Sequence, residues 1–297
     1  MIKKWGLALG VLLIGGLTWY LFLKPHDYVV RFKTKALPGT INQSLKAWGS
    51  RLDSAHFLTQ DGLSDLKYRV AFNDSAYTYH WKIESVNDSV SRVKAYVTDD
   101  DHSLAVRTAL PFSDTDFEKR TKKTVEDFAG QLQDHLNNFK VSVSGKDRIP
   151  AKYCACIEVK TTQRQKAGGM MENYSFLSGI MAKNSIVLDG RPLVEVEQWN
   201  MENDSISYNF CFPVLQSDSL PQQEEIFYKQ IAQKPAIRAI YNGNYITSDR
   251  AWYALLDYAE KNNIPIDKKP LEIFYSNPNM GGNELEWEAE VFMPIQE

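Results

Sequence analysis

Residues 234–263 read KPAIRAIYNGNYITSDRAWYALLDYAEKNN, and the hydrophobic period changes once inside them. Up to Tyr241 the apolar residues fall at every second position. Ile237, Ala239 and Tyr241 lie on one side, as a strand with one buried face requires. From Trp252 onward, Trp252, Leu255, Leu256 and Ala259 recur at helical spacing and form one apolar stripe. Between the two, Gly243 supplies backbone freedom for a turn, and Thr247 or Ser248 is placed to cap the helix. Strand parity assigns Tyr241 to the core and leaves Tyr245, beyond the turn, to face a cleft.

The same order occurs twice in the second half of the chain. The first copy runs strand AKYCACIEVKTT (151–162), helix MMENYSFLSGIMAKNS (170–185), strand GRPLVEVEQWN (190–200) and strand SISYNFCFPV (205–214). The second runs strand 234–245, helix 248–263, strand KKPLEIFYSNP (268–278) and strand LEWEAEVFMPI (285–295). Pro192 and Pro270 open the third elements, and Pro213 and Pro294 close the fourth. Two β-α-β-β copies predict pseudo-twofold packing around one continuous sheet. On the last strand Ala289, Val291 and Met293 share one face, while Glu288, Glu290 and Phe292 share the other. In the first copy Tyr208, Phe210 and Phe212 face the helices, and Asn209 and Cys211 fall on the side of Glu290. A sheet covered by helices on one side leaves its other face as a groove.

On PAIRAIYNGNY leading into a helix, PLEIFYSNP and the closing WEAEVFMPI, residues 148–297 resemble the GyrI-like small-molecule-binding domain, the effector-binding domain of AraC-type regulators. That resemblance implies a ligand cleft between the repeats, with a last-strand glutamate and aromatic walls receiving lipophilic compounds, cations among them. Glu290 matches the glutamate. Tyr245, Tyr275, Trp252, Trp199 and Trp287 are the candidate aromatic walls, through stacking and cation–π contacts. Trp252 serves the core equally well, because it lies on the helical stripe.

The first half carries strand-like runs beginning with HDYVVRFKTKAL (26–37), and a helix pattern at 38–52 with Ile41, Leu45, Trp48 and Leu52. LKYRVAFND (66–74), AYTYHWKIESVND (76–88), SVSRVKAYVTD (89–99) and SLAVRTALPF (103–112) read as further strands. A long amphipathic helix follows at 115–140, with Phe117, Val125, Phe128, Leu132, Leu136 and Phe139 in one stripe. Asp114 or Thr115 can cap it, and Glu118 stands three residues after Thr115. This order resembles the helix-grip fold of the polyketide cyclase and START-like superfamily (SRPBCC proteins) over 27–141, which implies a sheet and helix around an apolar cavity or a filled core. VSVSGKDRIP (141–150) reads as a polar hinge.

Trp5 to Leu23 is uncharged for 19 residues with aromatics near its ends, which predicts an uncleaved single-pass anchor in the bilayer. WYLFLKP lacks the small-x-small pattern of a cleaved leader. Lysines flank both ends, and the expectation is a cytoplasmic N-terminus with the bulk exported. The expected organisation is therefore an α+β chain: anchor 1–25, helix-grip-like domain 26–145 and duplicated β-α-β-β domain 146–297.

Residues 1–150 carry 21 basic and 17 acidic residues, and residues 151–297 carry 13 and 20. The acidic second half argues against nucleic acid as partner, because phosphate neutralisation needs clustered Lys and Arg. Three cysteines, Cys154, Cys156 and Cys211, exclude a disulfide framework and read as buried, inert thiols. His26, His56, His80, His102 and His135 are scattered without metal-ligand spacing, so no metal or cofactor is expected. No nucleophile, zinc-protease, phosphate-loop or dinucleotide motif occurs. AGGMM (167–171) reads as a loop entering a helix. The leading expectation is a membrane-anchored binding protein for an amphipathic small molecule, with no catalytic residue assigned. The alternatives are a hydrolase of small electrophilic compounds using a buried Glu290, and a protein-binding inhibitor module of unknown partner.

Overall fold

The structure, a computed structural model, describes residues 2–296. The chain is α+β, with a five-stranded and an eight-stranded antiparallel sheet, and divides into two compact units, Met1–Gln133 and Asp134–Glu297.

The first unit begins with α1 (Ile2–Thr18), which widens into one π-helical turn at Trp19–Leu23. At ~1.5 Å per residue, 17 residues of α-helix reach roughly 26 Å, short of a hydrocarbon layer about 30 Å thick. The turn that would complete a span is tied down instead. The Arg107 guanidinium donates to the carbonyls of Leu21 at 3.0 Å and Lys24 at 2.7 Å, and to the buried Asp27 carboxylate at 2.5 Å. No helix among the described residues is long and apolar enough to cross a membrane. The expected anchor at 5–23, and with it the bilayer partner and the exported location, is corrected on this ground.

The strands β1 (Tyr28–Thr34), β2 (Ala55–Asp61), β3 (Asp65–Ala71), β4 (Ala76–Ser85) and β5 (Ser91–Asp99) form a sheet in the order β1-β5-β4-β3-β2. Between β1 and β2 lies α2 (Pro38–Gly49), which buries Ile41, Leu45 and Trp48. Residues 103–112, expected as a strand, instead form α3 (Ser103–Ala109). Its buried residues are the adjacent Val106 and Arg107, and Arg107 is held there by the Asp27 carboxylate. The long helix α4 (Asp116–Asn137) buries Phe117, Val125, Phe128 and Leu132, and Thr115 Oγ1 accepts from Glu118 N at 3.1 Å as the cap. Trp48, Trp81 and Phe128 meet edge to face, so side chains fill the space between this sheet and its helices.

The second unit carries the repeat in full. The first copy is β7 (Lys152–Thr162), α5 (Lys166–Lys183), β8 (Leu193–Trp199) and β9 (Ser205–Pro213). The second is β11 (Lys234–Gly243), α6 (Arg250–Lys261), β12 (Leu271–Phe274) and β13 (Glu288–Pro294). The two copies join where β8 pairs with β12, and β9 and β13 occupy equivalent middle positions. Two further strands extend the edges, β6 (Phe139–Ile149) beside β11 and β10 (Phe227–Ile231) beside β7. The order is β10-β7-β9-β8-β12-β13-β11-β6. Residues 141–150, read as a hinge, are thus mostly strand β6. A polar strand at a sheet edge needs only one partner, and alternation in VSVSGKDRI was masked by its polarity. AGGMM lies inside α5 rather than before it, because the helix starts at Lys166.

The face parity holds. Tyr208, Phe210, Phe212, Ala289, Val291 and Met293 belong to the core under the helices, together with Ile237, Ala239 and Tyr241. Cys154, Cys156, Cys211, Ile273 and Phe292 cluster on the opposite face. There the β7–β9 register sets Cys156 against Cys211, with Cα atoms 4.1 Å apart, and the two form a disulfide. Cys154 alone remains a buried free thiol. The expectation of three inert thiols fails because strand pairing closes a separation of 55 residues.

Candidate functional site

Both faces of the eight-stranded sheet hold a depression. Under the helices lies a cavity of about 230 Å³, walled by Met170, Met171 and Tyr174 of α5 and by Tyr245, Phe274 and Trp287 of the second repeat. Gly243 makes the wall possible. It has φ of +150°, and a Cβ there would stand 2.7 Å from Tyr241 Oη and 2.8 Å from Phe139 Cβ. The chain turns at this close approach and delivers Tyr245 two residues later. Tyr245 Oη donates to the Glu288 carbonyl at 2.6 Å and accepts from Ser276 N at 3.0 Å. Its ring lies 4.8 Å from Phe274 and 5.9 Å from Trp287. Burial pushes the Tyr245 hydroxyl above its usual range, so it stays protonated and serves as a fixed donor.

A polar cluster borders this cavity in the interior. Lys166, at the start of α5, is ion-paired to Glu272 of β12, and neither side chain has exposed surface. Trp252 Nε1 donates to the second Glu272 oxygen at 2.8 Å, and Lys166 Nζ lies 2.7 Å from Ser248 Oγ. Beside it Trp199 Nε1 donates to Gln163 Oε1 at 2.9 Å, and the Trp199 ring packs edge-on to Trp252 and Tyr253.

The opposite face holds a groove of about 390 Å³ with Glu290 and Tyr275 among its lining residues. Glu290 is engaged on both oxygens. Arg238 donates to Oε1 at 3.0 Å and Tyr275 Oη to Oε2 at 2.7 Å. Burial, and then the carboxylate of Glu290, push the Tyr275 hydroxyl up to about 12.

The six residues singled out from sequence therefore fall in three places. Tyr245, Trp287 and Tyr275 line the cavity under the helices. Glu290 sits on the other face, where Tyr275 also reaches it. Trp252 is fully buried in the polar cluster and Trp199 packs against it. Lys166, Glu272, Met170, Met171 and Tyr174 were not anticipated. Glu272 was readable in part, since it shares strand parity with Phe274 and is thus an acid on a core face.

With this geometry in place, solved structures give matches. The chain is similar to the C-terminal domain of EcmrR. Identity is 15% with a TM-score of 0.45, over 54% of this chain and 98% of that one. The structure of SAV2435 bound to tetraphenylphosphonium matches at 11% identity and a TM-score of 0.39, covering 52% and 94% of the two chains. A hydrolase from Listeria innocua matches at 13% and 0.34, covering 51% and 92%. No protein-family model and no curated protein matches the chain. At such identities and TM-scores the likeness carries no argument, and the roles of individual residues rest on the geometry of this chain.

Proposed function

We propose that the second unit binds a lipophilic small molecule in the cavity under its helices. The observation that carries this is the composition of the wall. Two methionines and six aromatic rings converge from both repeats on one unfilled space, with Tyr245 Oη held in place by backbone groups. Aromatic faces and thioethers offer contact area and polarisability to an apolar guest, and methionine adapts to its outline. A volume of about 230 Å³ suits a molecule of one or two fused rings. The exposed Met171 and the segment 276–279 at the cavity edge leave a route of access.

Binding fits this geometry better than hydrolysis. A general base needs a free lone pair within reach of water beside the substrate. Glu290 lies on the other face of the sheet from the cavity, so its lone pairs are not presented to a guest bound there.

The test is titration of the full chain with a fluorescent naphthalene alcohol. Saturable binding is expected, with affinity at least about tenfold weaker in Met171→Trp, which blocks the edge, and in Trp287→Ala. Equal affinity in both variants would place the ligand elsewhere.

A further inference from the structure

The buried ion pair beside the cavity has the composition of a ligand site already filled. The Lys166 ammonium touches three groups: a Glu272 oxygen, Ser248 Oγ at 2.7 Å, and the indole face of Trp252 with its centroid at 4.7 Å. Trp252 Nε1, donating to the other Glu272 oxygen, locks ring and carboxylate into one unit. Ser248 Oγ is itself oriented by donating to the Tyr245 carbonyl at 3.0 Å. A carboxylate, a hydroxyl oxygen and an aromatic face are the groups that hold an ammonium ion away from water. Lys166, Glu272, Trp252 and Ser248 are all without exposed surface, so solvent contributes nothing to this balance.

The cluster also adjoins the cavity. Ala167, next to Lys166, lines it, and so does Phe274, two residues along β12 on the same face as Glu272. Tyr245, whose carbonyl orients Ser248, supplies a third wall. No Asp or Glu is among the residues lining the cavity, and the one charged side chain there is Arg191.

We infer that Glu272, Ser248 and Trp252 form an ammonium cage occupied by Lys166 as a tethered ligand, and that this occupancy reserves the adjoining cavity for uncharged lipophilic molecules. The inference rests on the cavity reading above and names the ligand class. A cation entering the cavity gives up its hydration, and a nearby uncompensated carboxylate would be the largest offset to that loss, beyond what the aromatic faces supply. Glu272 is the acid placed to do so, and Lys166 already neutralises it. A neutral guest gives up far less.

The experiment uses the full chain with Lys166→Ala, which deletes a propylammonium group from the cage, and n-propylammonium as the probe, with n-propanol as its neutral control. The melting temperature of Lys166→Ala should rise by several degrees with propylammonium and not with propanol. Wild type and Lys166→Ala/Glu272→Gln should show no amine-specific rise. Wild type should bind naphthalene methanol at least about tenfold more tightly than naphthalene methylammonium, and Lys166→Ala should narrow or reverse that ratio by at least about tenfold. A Lys166→Ala protein that does not fold alone but folds with propylammonium supports the cage in the same way. The inference is overturned by an unchanged ratio in folded Lys166→Ala, by a melting temperature indifferent to the amine, or by failure of the amine to recover an unfolded variant. If no naphthalene probe binds any variant, the cavity reading falls first, and the ligand class falls with it.

Discussion

Lys166 and Glu272, one from each repeat, meet as an ion pair with no exposed surface on either side chain. A carboxylate and an ammonium so placed are tolerable only together, since each is a large desolvation cost without the other. The pair therefore acts as a pin between α5 and β12, and its loss in halves has a different outcome from its loss as a whole.

Glu272→Ala is expected to destabilise the chain by about 3–5 kcal/mol, because it strands the Lys166 ammonium and frees Trp252 Nε1. The double variant Lys166→Met/Glu272→Leu should recover most of that loss. Urea unfolding monitored by circular dichroism separates the two, and a double variant as weak as the single would show that the pair is not the pin.

Gly243→Ala should cost about 1–3 kcal/mol. The backbone at φ +150° disfavours a side chain, and the new methyl group would meet Tyr241 Oη, Phe139 Cβ and the Asn138 carbonyl within 3.0 Å. Thermal denaturation reports the loss. A neutral substitution would mean that β11 and β6 separate easily at this end.

Arg107→Ala removes the guanidinium that holds the Leu21 and Lys24 carbonyls and leaves Asp27, only 2% exposed, without its counter-charge. A loss of about 3–5 kcal/mol is expected in the first unit. Amide exchange should rise at residues 20–24 and at Asp99, whose N–H donates to Asp27 at 2.8 Å. Unchanged exchange there would refute the docking role.

Alkaline pH should destabilise the second unit. Burial pushes the Cys154 thiol up from 9.0 to about 12, so between those values the unfolded chain has released a proton that the folded chain keeps. The folded state therefore binds more protons in this window, and stability falls as pH rises through it. Burial also raises the hydroxyls of Tyr208, Tyr241 and Tyr253, which adds to the same sign above the ordinary tyrosine range. Stability should be flat in this respect below pH 9, with Cys154 resistant to alkylating reagents until the chain unfolds. Ready alkylation of the native protein at neutral pH would contradict the burial.

The repeat, the order of its elements and the faces of its strands were legible because they depend on period alone. Alternation in WEAEVFMPI and SISYNFCFPV places Val291 and Phe210 under the helices without reference to any partner strand. Gly243 was legible for a similar reason, since a turn between a strand and a helix is a local event. Residues 5–23 show where such reading stops. Their apolar length suggested a span, yet the last turn is claimed by Arg107, some 80 residues away in the chain. VSVSGKDRI likewise looked like a hinge until β11 offered it an edge.

Chain-local properties, then, came from the sequence: which residues alternate, which recur at helical spacing, and where the two copies begin. Tertiary structure decided every juxtaposition across the sheet. It set Cys156 against Cys211, placed Glu290 with Arg238 rather than in the cavity, and brought Lys166 to Glu272 across 106 residues. Periodicity reports the direction of a side chain relative to its own backbone. Charge pairing and cavity shape depend on distances between segments, and those exist only once the register of the strands is set.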